Sequence, residues 1–409
     1  MNHTIANGRS GRIEAIDVLR GFTLLGIILV HMVEQYYAGA WPEQYAQATT
    51  QTLADQITSG FVGIFIIGKF YMIFSFLFGL SFFIQFSKSD VEKNFLIRFT
   101  WRLVILFIIG FIHHLHYRGD ILTIYAILGV SLLIFHQLPD RYLLALAIFL
   151  ILNIPSVIMR GVNALFPTGD GNLFNLDQQA LLAYFNTVKS GSYLEILRAN
   201  FYEFAGKMQF QVISGRLYIT LGLFLLGIYA GRKNLFGKLQ ENIPLLKKGM
   251  RYALFTILGL IVFGVVVFGV LKLKLPQSLQ WLIGGFVMDI FNAALAFIYV
   301  AGVLLLLFQK EKWQKRLMNF YPVGRMGLTT YLMQTLFGAL IFHSYGLGLL
   351  ADIGALYSFL IAIGLFLIQI VFAKYWFTRF TFGPVEWIWR NLTYLKIHPM
   401  TLPKTENAQ

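Results

Sequence analysis

Ten apolar stretches, each long enough to cross a bilayer, constrain the fold of this 409-residue chain more than any other feature. A helix needs about 20 apolar residues to cross a hydrocarbon core of roughly 30 Å. The chain is 57% hydrophobic and only 13% charged, which lies outside the range of soluble globular proteins. We therefore predict an all-α, polytopic integral membrane protein with about ten transmembrane helices. The predicted spans are 16–34, 60–86, 99–117, 120–138, 141–158, 211–231, 250–271, 280–308, 327–345 and 353–378.

The distribution of basic residues predicts the orientation of these helices. With a cytoplasmic N-terminus, about 24 of the 33 Lys and Arg residues fall on the cytoplasmic side, as the positive-inside rule requires. Both termini are then cytoplasmic, and the net charge of +14 reflects topology rather than nucleic-acid binding. The absence of cysteine excludes disulfides and thiolate metal sites. We expect a multi-pass protein of the bacterial cytoplasmic (inner) membrane.

We treat residues 1–409 as a single integral membrane domain with three parts. Residues 1–158 form an N-terminal five-helix part and residues 211–409 a C-terminal five-helix part. Between them, residues 159–210 form an outer segment that opens with the turn signal PTGDGN. Apolar residues then recur at helical spacing, which predicts two short amphipathic helices on the outer surface. These helices would serve either as an interfacial strap or as a lid.

The first apolar helix carries two ionisable residues on one face. Ten residues separate Arg20 from His31, so at about 100° per residue they lie within roughly 20° of the same face and about 16 Å apart. Such residues in a spanning helix usually face a bundle interior or a wet cavity. Alternatively, Arg20 anchors the helix at the headgroups and His31 snorkels to the other interface.

A cluster of titratable residues, HHLHYRGD, ends the third predicted helix. His113 and His116 share a face at i,i+3 spacing, but the pattern specifies no third metal ligand, and we predict no metal site. Acid–base chemistry fits imidazoles better, because they titrate near neutral pH. Alternatively, these histidines lie at the membrane interface. In either case Asp120 is placed to cap the next helix.

Three polar residues lie deep within predicted spans. Lys69 and Asp289, the latter close to Asn292, each lie about nine residues from the outer end of their helix, or about 13 Å deep. This matched depth predicts either a structural ion pair or a pair that lines a substrate cavity. We place Asn292 and His116 with them as candidate cavity residues.

Several arginines are expected at the cytoplasmic rim. Arg20, Arg102, Arg325 and Arg390 would suit a phosphate-bearing ligand, because a guanidinium offers a planar fork to phosphate. The alternative is that they only reflect the positive-inside excess.

Five motifs resemble the YeiB family of bacterial membrane proteins, which carries domain of unknown function 418. In chain order the motifs are DVLRGFTLLGIILV, FYMIFSFLFGLSF, RGDILTIYAILG, GRMGLTTYLMQ and FGPVEWIWRNLTYLKIHP. The most specific pieces are the segment from Gly383 to Arg390 and the turn from Gly119 to Leu122. The resemblance covers nearly the whole chain in the right order.

The family is grouped with transmembrane acyltransferases, which include heparan-alpha-glucosaminide N-acetyltransferase and bacterial O-acetylases of surface sugars. This resemblance implies an acyl-CoA as the cytoplasmic donor, with acetyl-CoA as the first candidate. It also implies a sugar or other small-molecule acceptor on the outer side. In the O-acetylases an Arg followed after ten residues by His marks the first helix, as Arg20 and His31 do here. YeiB relatives often carry Asn in place of His31, which makes the His113–His116 cluster the fallback.

We expect His31 or His113 to act as the base for a hydroxyl or amine acceptor, with Asp120 or Glu34 orienting it. Arg20, Arg102, Arg325 and Arg390 would hold the CoA phosphates. The expected partners are membrane lipids and the acceptor, with no nucleic acid, and a homodimer is considered. The alternatives are a transporter or flippase of a small amphiphilic solute, centred on Lys69 and Asp289, and a structural or sensory protein without turnover.

Overall fold

The computed structural model describes residues 13–89, 91–166, 177–270, 276–309 and 311–402. These residues form helices joined by short connections, and their one β feature is an isolated bridge between Phe380 and Thr401. The helices of the N-terminal half are α1 (Glu14–Val33), α2 (Leu53–Phe65), α3 (Phe70–Phe86), α4 (Glu92–His116), α5 (Leu122–Phe135), α6 (Asp140–Ile151), α7 (Ile154–Leu165), α8 (Gln178–Ser190) and α9 (Tyr193–Ile213). Those of the C-terminal half are α10 (Arg216–Arg232), α11 (Ile243–Gly264), α12 (Gln277–Gln309), α13 (Glu311–Leu317), α14 (Phe320–Arg325), α15 (Gly327–Phe342), α16 (Ala355–Trp376) and α17 (Pro384–Tyr394).

The predicted fold class, a helical membrane protein, is confirmed. Six helical stretches of the described chain are long and apolar enough to cross a membrane, and one of them consists of α2 and α3 together. The number rises to eight if each of two bent helix pairs forms one span. The apolar helices α5 and α15 occupy two further predicted spans, but they have only 14 and 16 residues. Ten spans and cytoplasmic termini therefore stay predictions. Arg9, Arg12 and the predicted turn at 167–172 lie outside the described residues.

Helix α1 lies at the centre of the helix bundle. It packs against α3, α14, α15 and α16, and most of its side chains are buried on several sides. Its sequence is apolar nearly all round, which is typical of a helix surrounded by other helices. The few polar residues on α1 must therefore lie either against a partner or against an internal cavity.

Two of the breaks within apolar segments contain a glycine with a positive φ angle. Gly68 (φ 87°) separates α2 from α3, and Gly215 (φ 79°) separates α9 from α10, which are bent by 68°. Glycine adopts this conformation without the steric cost of a Cβ. Non-helical backbone at membrane depth must be satisfied by protein or line a cavity. At the first break, the ammonium of Lys69 donates to the carbonyl oxygen of Ile67 at 2.9 Å.

Two helices do follow the first half of the bundle, as predicted, but the second is not a short surface helix. Helix α8 begins at the cap Asp177, and α9 begins at a capping box formed by Ser192 and Glu195. Helix α9 then extends for 21 residues, packs against α4 and continues into α10. It therefore belongs to the wall of the bundle along part of its length.

A close crossing of α3 and α10 yields the first testable prediction. A Cβ added at Gly79 would overlap the carbonyl oxygen of Phe224, and one added at Gly227 would overlap that of Phe76. Small residues allow such close backbone approach between membrane helices. We expect Gly79→Leu to lower the free energy of unfolding by about 1–3 kcal/mol or more, through overpacking.

Thermal unfolding of the purified protein in detergent would measure this effect. The control is Gly60→Leu, because nothing lies within 4 Å of a Cβ added at Gly60. Equal unfolding temperatures for the two variants would contradict the close crossing.

A cavity along the first helix as the candidate active site

An internal cavity of about 930 Å³ runs along one face of α1. Arg20, Ile27, His31 and Glu34 all line it. Fourteen residues separate the ends of this series, which corresponds to roughly 21 Å along the helix axis. The volume lies at the upper end of the range for small-molecule sites. Arg20 and His31 therefore line one common cavity.

The middle of the cavity is apolar. Leu77 and Phe78 of α3 line it, together with Leu103 and Leu106 of α4. These side chains separate a group of cationic residues at the Arg20 end from a polar, aromatic site at the Glu34 end. The cavity can therefore bind a long ligand with different chemistry at its two ends.

Two arginines at the Arg20 end are held by neighbouring polar groups. Arg20 forms an ion pair with Asp17 at 2.7 Å and donates to the hydroxyl of Ser81. Arg325 donates to the carbonyl oxygen of Thr381 at 2.7 Å. Both guanidinium groups line the cavity, and their partners fix their positions.

A third arginine lines the same end, whereas the fourth predicted one does not. Arg102 donates to the amide oxygen of Gln85 at 2.8 Å and lies 3.9 Å from the ring of Trp389. Arg390 lies 5.1 Å from the ring of Tyr394 and is absent from the cavity lining. Three of the four predicted arginines therefore converge on the cavity.

Glu386 connects the C-terminal motif to this end of the cavity. Its carboxylate accepts hydrogen bonds from the backbone N–H groups of Leu328 and Thr329 and from the hydroxyl of Thr329. These are orphan donors of the first turn of α15, so Glu386 caps that helix from a different element. Burial raises the pKa of Glu386, although the bonds from Thr329 oppose the shift. The motif thus helps to set the position of α15.

At the Glu34 end, an imidazole faces the cavity among tyrosines. The ring centroid of His31 lies 5.1 Å from that of Tyr117, 5.4 Å from that of Tyr36 and 6.4 Å from that of Tyr331. Its Nδ1 atom has no hydrogen-bond partner among the described residues, and neither has the hydroxyl of Tyr331. The imidazole beside the cavity thus has a ring nitrogen with no partner among the described residues.

Glu34 follows one turn after His31 and lines the same wall. Its side chain is half-buried, and the positive charge of Arg216 acts on it. The spacing of three residues places the two side chains on one helix face. Glu34 is therefore near the imidazole, but no hydrogen bond by which it would orient His31 is found in the described structure.

Asp120 is the centre of a buried hydrogen-bond network. Its carboxylate accepts from the backbone N–H groups of Leu122 at 3.0 Å and Thr123 at 2.9 Å, so the predicted cap of α5 is confirmed. It also accepts from Nδ1 of His113 at 2.7 Å and forms an ion pair with Lys207 at 3.2 Å. Burial alone would raise the pKa of Asp120, but His113 and Lys207 outweigh it and hold this pKa well below its usual range.

His113 is buried behind the cavity rather than in it. Nδ1 bonds Asp120, and Nε2 lies 2.7 Å from the hydroxyl of Thr335. Since the carboxylate can only accept, Nδ1 carries the proton and Nε2 accepts from Thr335. Both ring nitrogens are occupied, and His113 does not line the cavity. Of the two predicted bases, His31 is the one that a cavity ligand can reach.

Sequence reasoning missed two cations at this end, Lys207 of α9 and Arg216, and it gave Arg118 of the HHLHYRGD cluster no separate role. Arg118 forms an ion pair with Glu203 at 3.3 Å, and its guanidinium lies 3.7 Å from the ring of Tyr184. All three line the cavity. For Arg216, the signal was the preceding Gly215, a helix breaker within an apolar segment.

The predicted pair of Lys69 and Asp289 is wrong. The carboxylate of Asp289 accepts from the side-chain amide of Asn153 at 2.8 Å, whereas Lys69 binds backbone carbonyl groups. Equal depth did not bring the two side chains together, because each found a closer polar partner created by a helix break. Neither residue lines the cavity.

The other two predicted cavity residues also lie outside it. Asn292 lies beside Gly68, and its buried Oδ1 atom has no partner in the described part of the chain. His116 lies at the end of α4, where its Nε2 atom is 2.8 Å from the hydroxyl of Tyr193. Among the described residues, no group of three His, Asp or Glu side chains could hold a metal ion.

Comparisons with known proteins agree with the motifs. Residues 230–396 match the family described as "Protein of unknown function (DUF418)". The chain is 29% identical to "Uncharacterized protein YxaH" of Bacillus subtilis (strain 168), covering 95% of this chain and 96% of that protein. It is 27% identical to "Uncharacterized protein YeiB" of Escherichia coli (strain K12), covering 92% and 95% of the two chains. No solved structure matches significantly. The predicted resemblance to the YeiB family is confirmed.

The Asp120 network predicts a specific dependence of stability on pH. The pKa of Asp120 is lower in the folded protein than in the unfolded protein, where it is about 4. The ionised carboxylate therefore stabilises the folded protein above about pH 4, and this stabilisation is lost as the pH falls further. We expect the unfolding temperature of the wild-type protein to fall as the pH is lowered from about 5 towards about 2. Asp120→Asn should be less stable at pH 6 and should show a flatter profile.

Thermal unfolding in detergent across this pH range would test the assignment. Asp177→Asn is the control, because Asp177 is an exposed cap of α8. It should keep the wild-type profile. An unchanged profile for Asp120→Asn would show that this carboxylate is not the titrating group.

Proposed function

We propose that this relative of the YeiB proteins is a membrane acyltransferase. It would move an acyl group from a cytoplasmic acyl-CoA to a hydroxyl or amine on the outer side of the bacterial inner membrane. Acetyl is the first candidate for this acyl group. The observation that supports this most is one cavity that joins three guanidinium groups to an unpartnered imidazole. The guanidinium end lies at the side that the positive-inside rule assigns to the cytoplasm.

The donor would bind with its phosphates at the Arg20 end. Arg20, Arg102 and Arg325 lie on α1, α4 and α14, so they approach one site from three directions. Charge-assisted hydrogen bonds from guanidinium to phosphate are among the stronger polar contacts in proteins. The thioester arm would then lie along the apolar middle of the cavity and present its carbonyl carbon near His31.

The reaction at the Glu34 end would be a direct acyl transfer. His31 accepts the proton of the acceptor hydroxyl while that oxygen bonds to the thioester carbonyl carbon. The C–S bond then breaks, and the same proton passes from His31 to the sulfur, which leaves as the free CoA thiol. The unpartnered hydroxyl of Tyr331 can donate to the carbonyl oxygen as negative charge develops there.

The transporter alternative is less well supported by the geometry. Its predicted centre was Lys69 with Asp289, and these residues neither pair nor line the cavity. A continuous cavity is compatible with passage of a solute, so product analysis decides between the two functions. Release of free thiol with an acylated acceptor identifies transfer, whereas movement of unchanged solute identifies transport.

The role of His31 can be tested by substitution. We expect His31→Ala to lower acyl transfer by about 10²-fold or more, because general-base catalysis typically contributes that much. The assay would follow transfer of radiolabelled acetyl from acetyl-CoA in proteoliposomes supplied with membrane extract as acceptor.

His116→Ala is the matched control, since His116 lies outside the cavity and bonds Tyr193. It should keep full activity. His113→Ala should instead lower the unfolding temperature, because it leaves Asp120 and Thr335 without their shared partner. Wild-type activity of His31→Ala would exclude His31 as the base.

Donor binding yields a separate prediction. CoA should raise the unfolding temperature of the wild-type protein, because a ligand that binds only the native state stabilises it. Arg102→Gln and Arg325→Gln should each weaken the apparent affinity for CoA about tenfold, which corresponds to one lost hydrogen bond between charged groups.

Arg390→Gln is the control for this experiment, because Arg390 is absent from the cavity lining. Its response to CoA should match that of the wild-type protein. A wild-type protein that no CoA thioester stabilises would contradict the proposed function.

A further inference from the structure

One cation at the Glu34 end of the cavity has no ion-pair partner among the described residues. Of the three basic side chains there, Arg118 forms an ion pair with Glu203 and Lys207 forms one with Asp120. Arg216 forms no ion pair with any described residue, although its charge acts on Glu34. The positive charge of Arg216 is therefore available to an anionic ligand at this end of the cavity.

Two aromatic rings flank the guanidinium of Arg216 and leave its N–H donors available. It lies 5.5 Å from the ring centroid of Tyr71 on α3 and 5.4 Å from that of Phe210 on α9. These contacts support the cation through the faces of the rings, but they satisfy none of its hydrogen bonds. No side-chain hydrogen bond of Arg216 to a described residue is found, so the donors can bind a ligand in the cavity.

The position of Arg216 also places it beside an opening of the cavity. It is the first residue of α10, directly after the bend at Gly215, and it is exposed. Phe210 lines the cavity as well and is 42% exposed. A molecule that enters at the bend between α9 and α10 therefore meets Arg216 on its way to His31.

We propose that the acyl acceptor carries a phosphate group and that Arg216 binds this group. This inference rests on the proposed function, and it assigns the substrate class. The planar fork of a guanidinium matches two phosphate oxygens. An acceptor held there by its phosphate would present a neighbouring hydroxyl to His31, because both side chains line the same end of the cavity. The phosphate can belong to a lipid headgroup or to a soluble ester.

Thermal unfolding of the full-length protein in a neutral maltoside detergent tests the proposal. The probes form two matched pairs, phosphatidic acid with diacylglycerol and glycerol 3-phosphate with glycerol, and each pair differs only in the phosphate. The proteins compared are the wild type, Arg216→Gln and the control Arg198→Gln. Arg198 is an exposed arginine of α9 that does not line the cavity.

We expect phosphatidic acid to stabilise the wild type and Arg198→Gln, and diacylglycerol to have no such effect. The apparent affinity of Arg216→Gln for phosphatidic acid should be about tenfold weaker or more. Stabilisation by glycerol 3-phosphate as well would identify a soluble ester as sufficient, and stabilisation by the lipid alone would identify a headgroup. Equal responses of the wild type and Arg216→Gln, or no response of the wild type to either phosphate, would overturn the proposal.

A further variant and an activity assay complete the test. Should Arg216→Gln not yield folded protein, Arg216→Lys can replace it. This variant keeps the positive charge but lacks the planar pair of N–H donors, so it should bind phosphatidic acid several-fold more weakly than the wild type. Unchanged affinity in that variant would overturn the proposal. Binding is measured without acyl-CoA, so a protein that binds phosphate through Arg216 but transfers no acyl group would contradict the proposed function alone.

Discussion

Four parts of the structure meet at the carboxylate of Asp120. It caps α5, orients His113 of α4 and pairs with Lys207 of α9, and through His113 it reaches Thr335 of α15. A buried carboxylate with this many donors is stable only when every donor is in place, because a partly satisfied network costs more than an apolar one. The network therefore fixes the relative positions of the helices that form the Glu34 end of the cavity.

The sequence predicted features that depend on one helix better than features that depend on several. The common face of Arg20 and His31 follows from 3.6 residues per turn, and the cap at Asp120 follows from its position before an apolar helix. Both are intrinsic to one segment. The pairing of Lys69 with Asp289 required knowledge of which helices are neighbours and how each is rotated. Depth alone does not give this information.

The break at Gly68 explains why Lys69 departs from the prediction. In an unbroken helix the carbonyl groups near Lys69 would be hydrogen-bonded within the helix, and the ammonium would need an external anion. The break frees carbonyl oxygens within reach, so Lys69 is satisfied locally. The break at Gly215 has the opposite effect, because it leaves the next residue, Arg216, facing the cavity. Glycines inside apolar segments were thus the informative signal, and their effect on side chains became visible only in the packed structure.

The apolar middle of the cavity has a consequence for the cell that contains this protein. A passage lined by charged groups from end to end would conduct ions and dissipate the gradients on which a membrane depends. Leu77, Phe78, Leu103 and Leu106 interrupt the polar lining. A hydrophobic section resists filling by water, and an ion that enters it loses its hydration without compensation. The same residues that would accommodate a thioester arm would therefore also prevent the leakage of ions across the membrane.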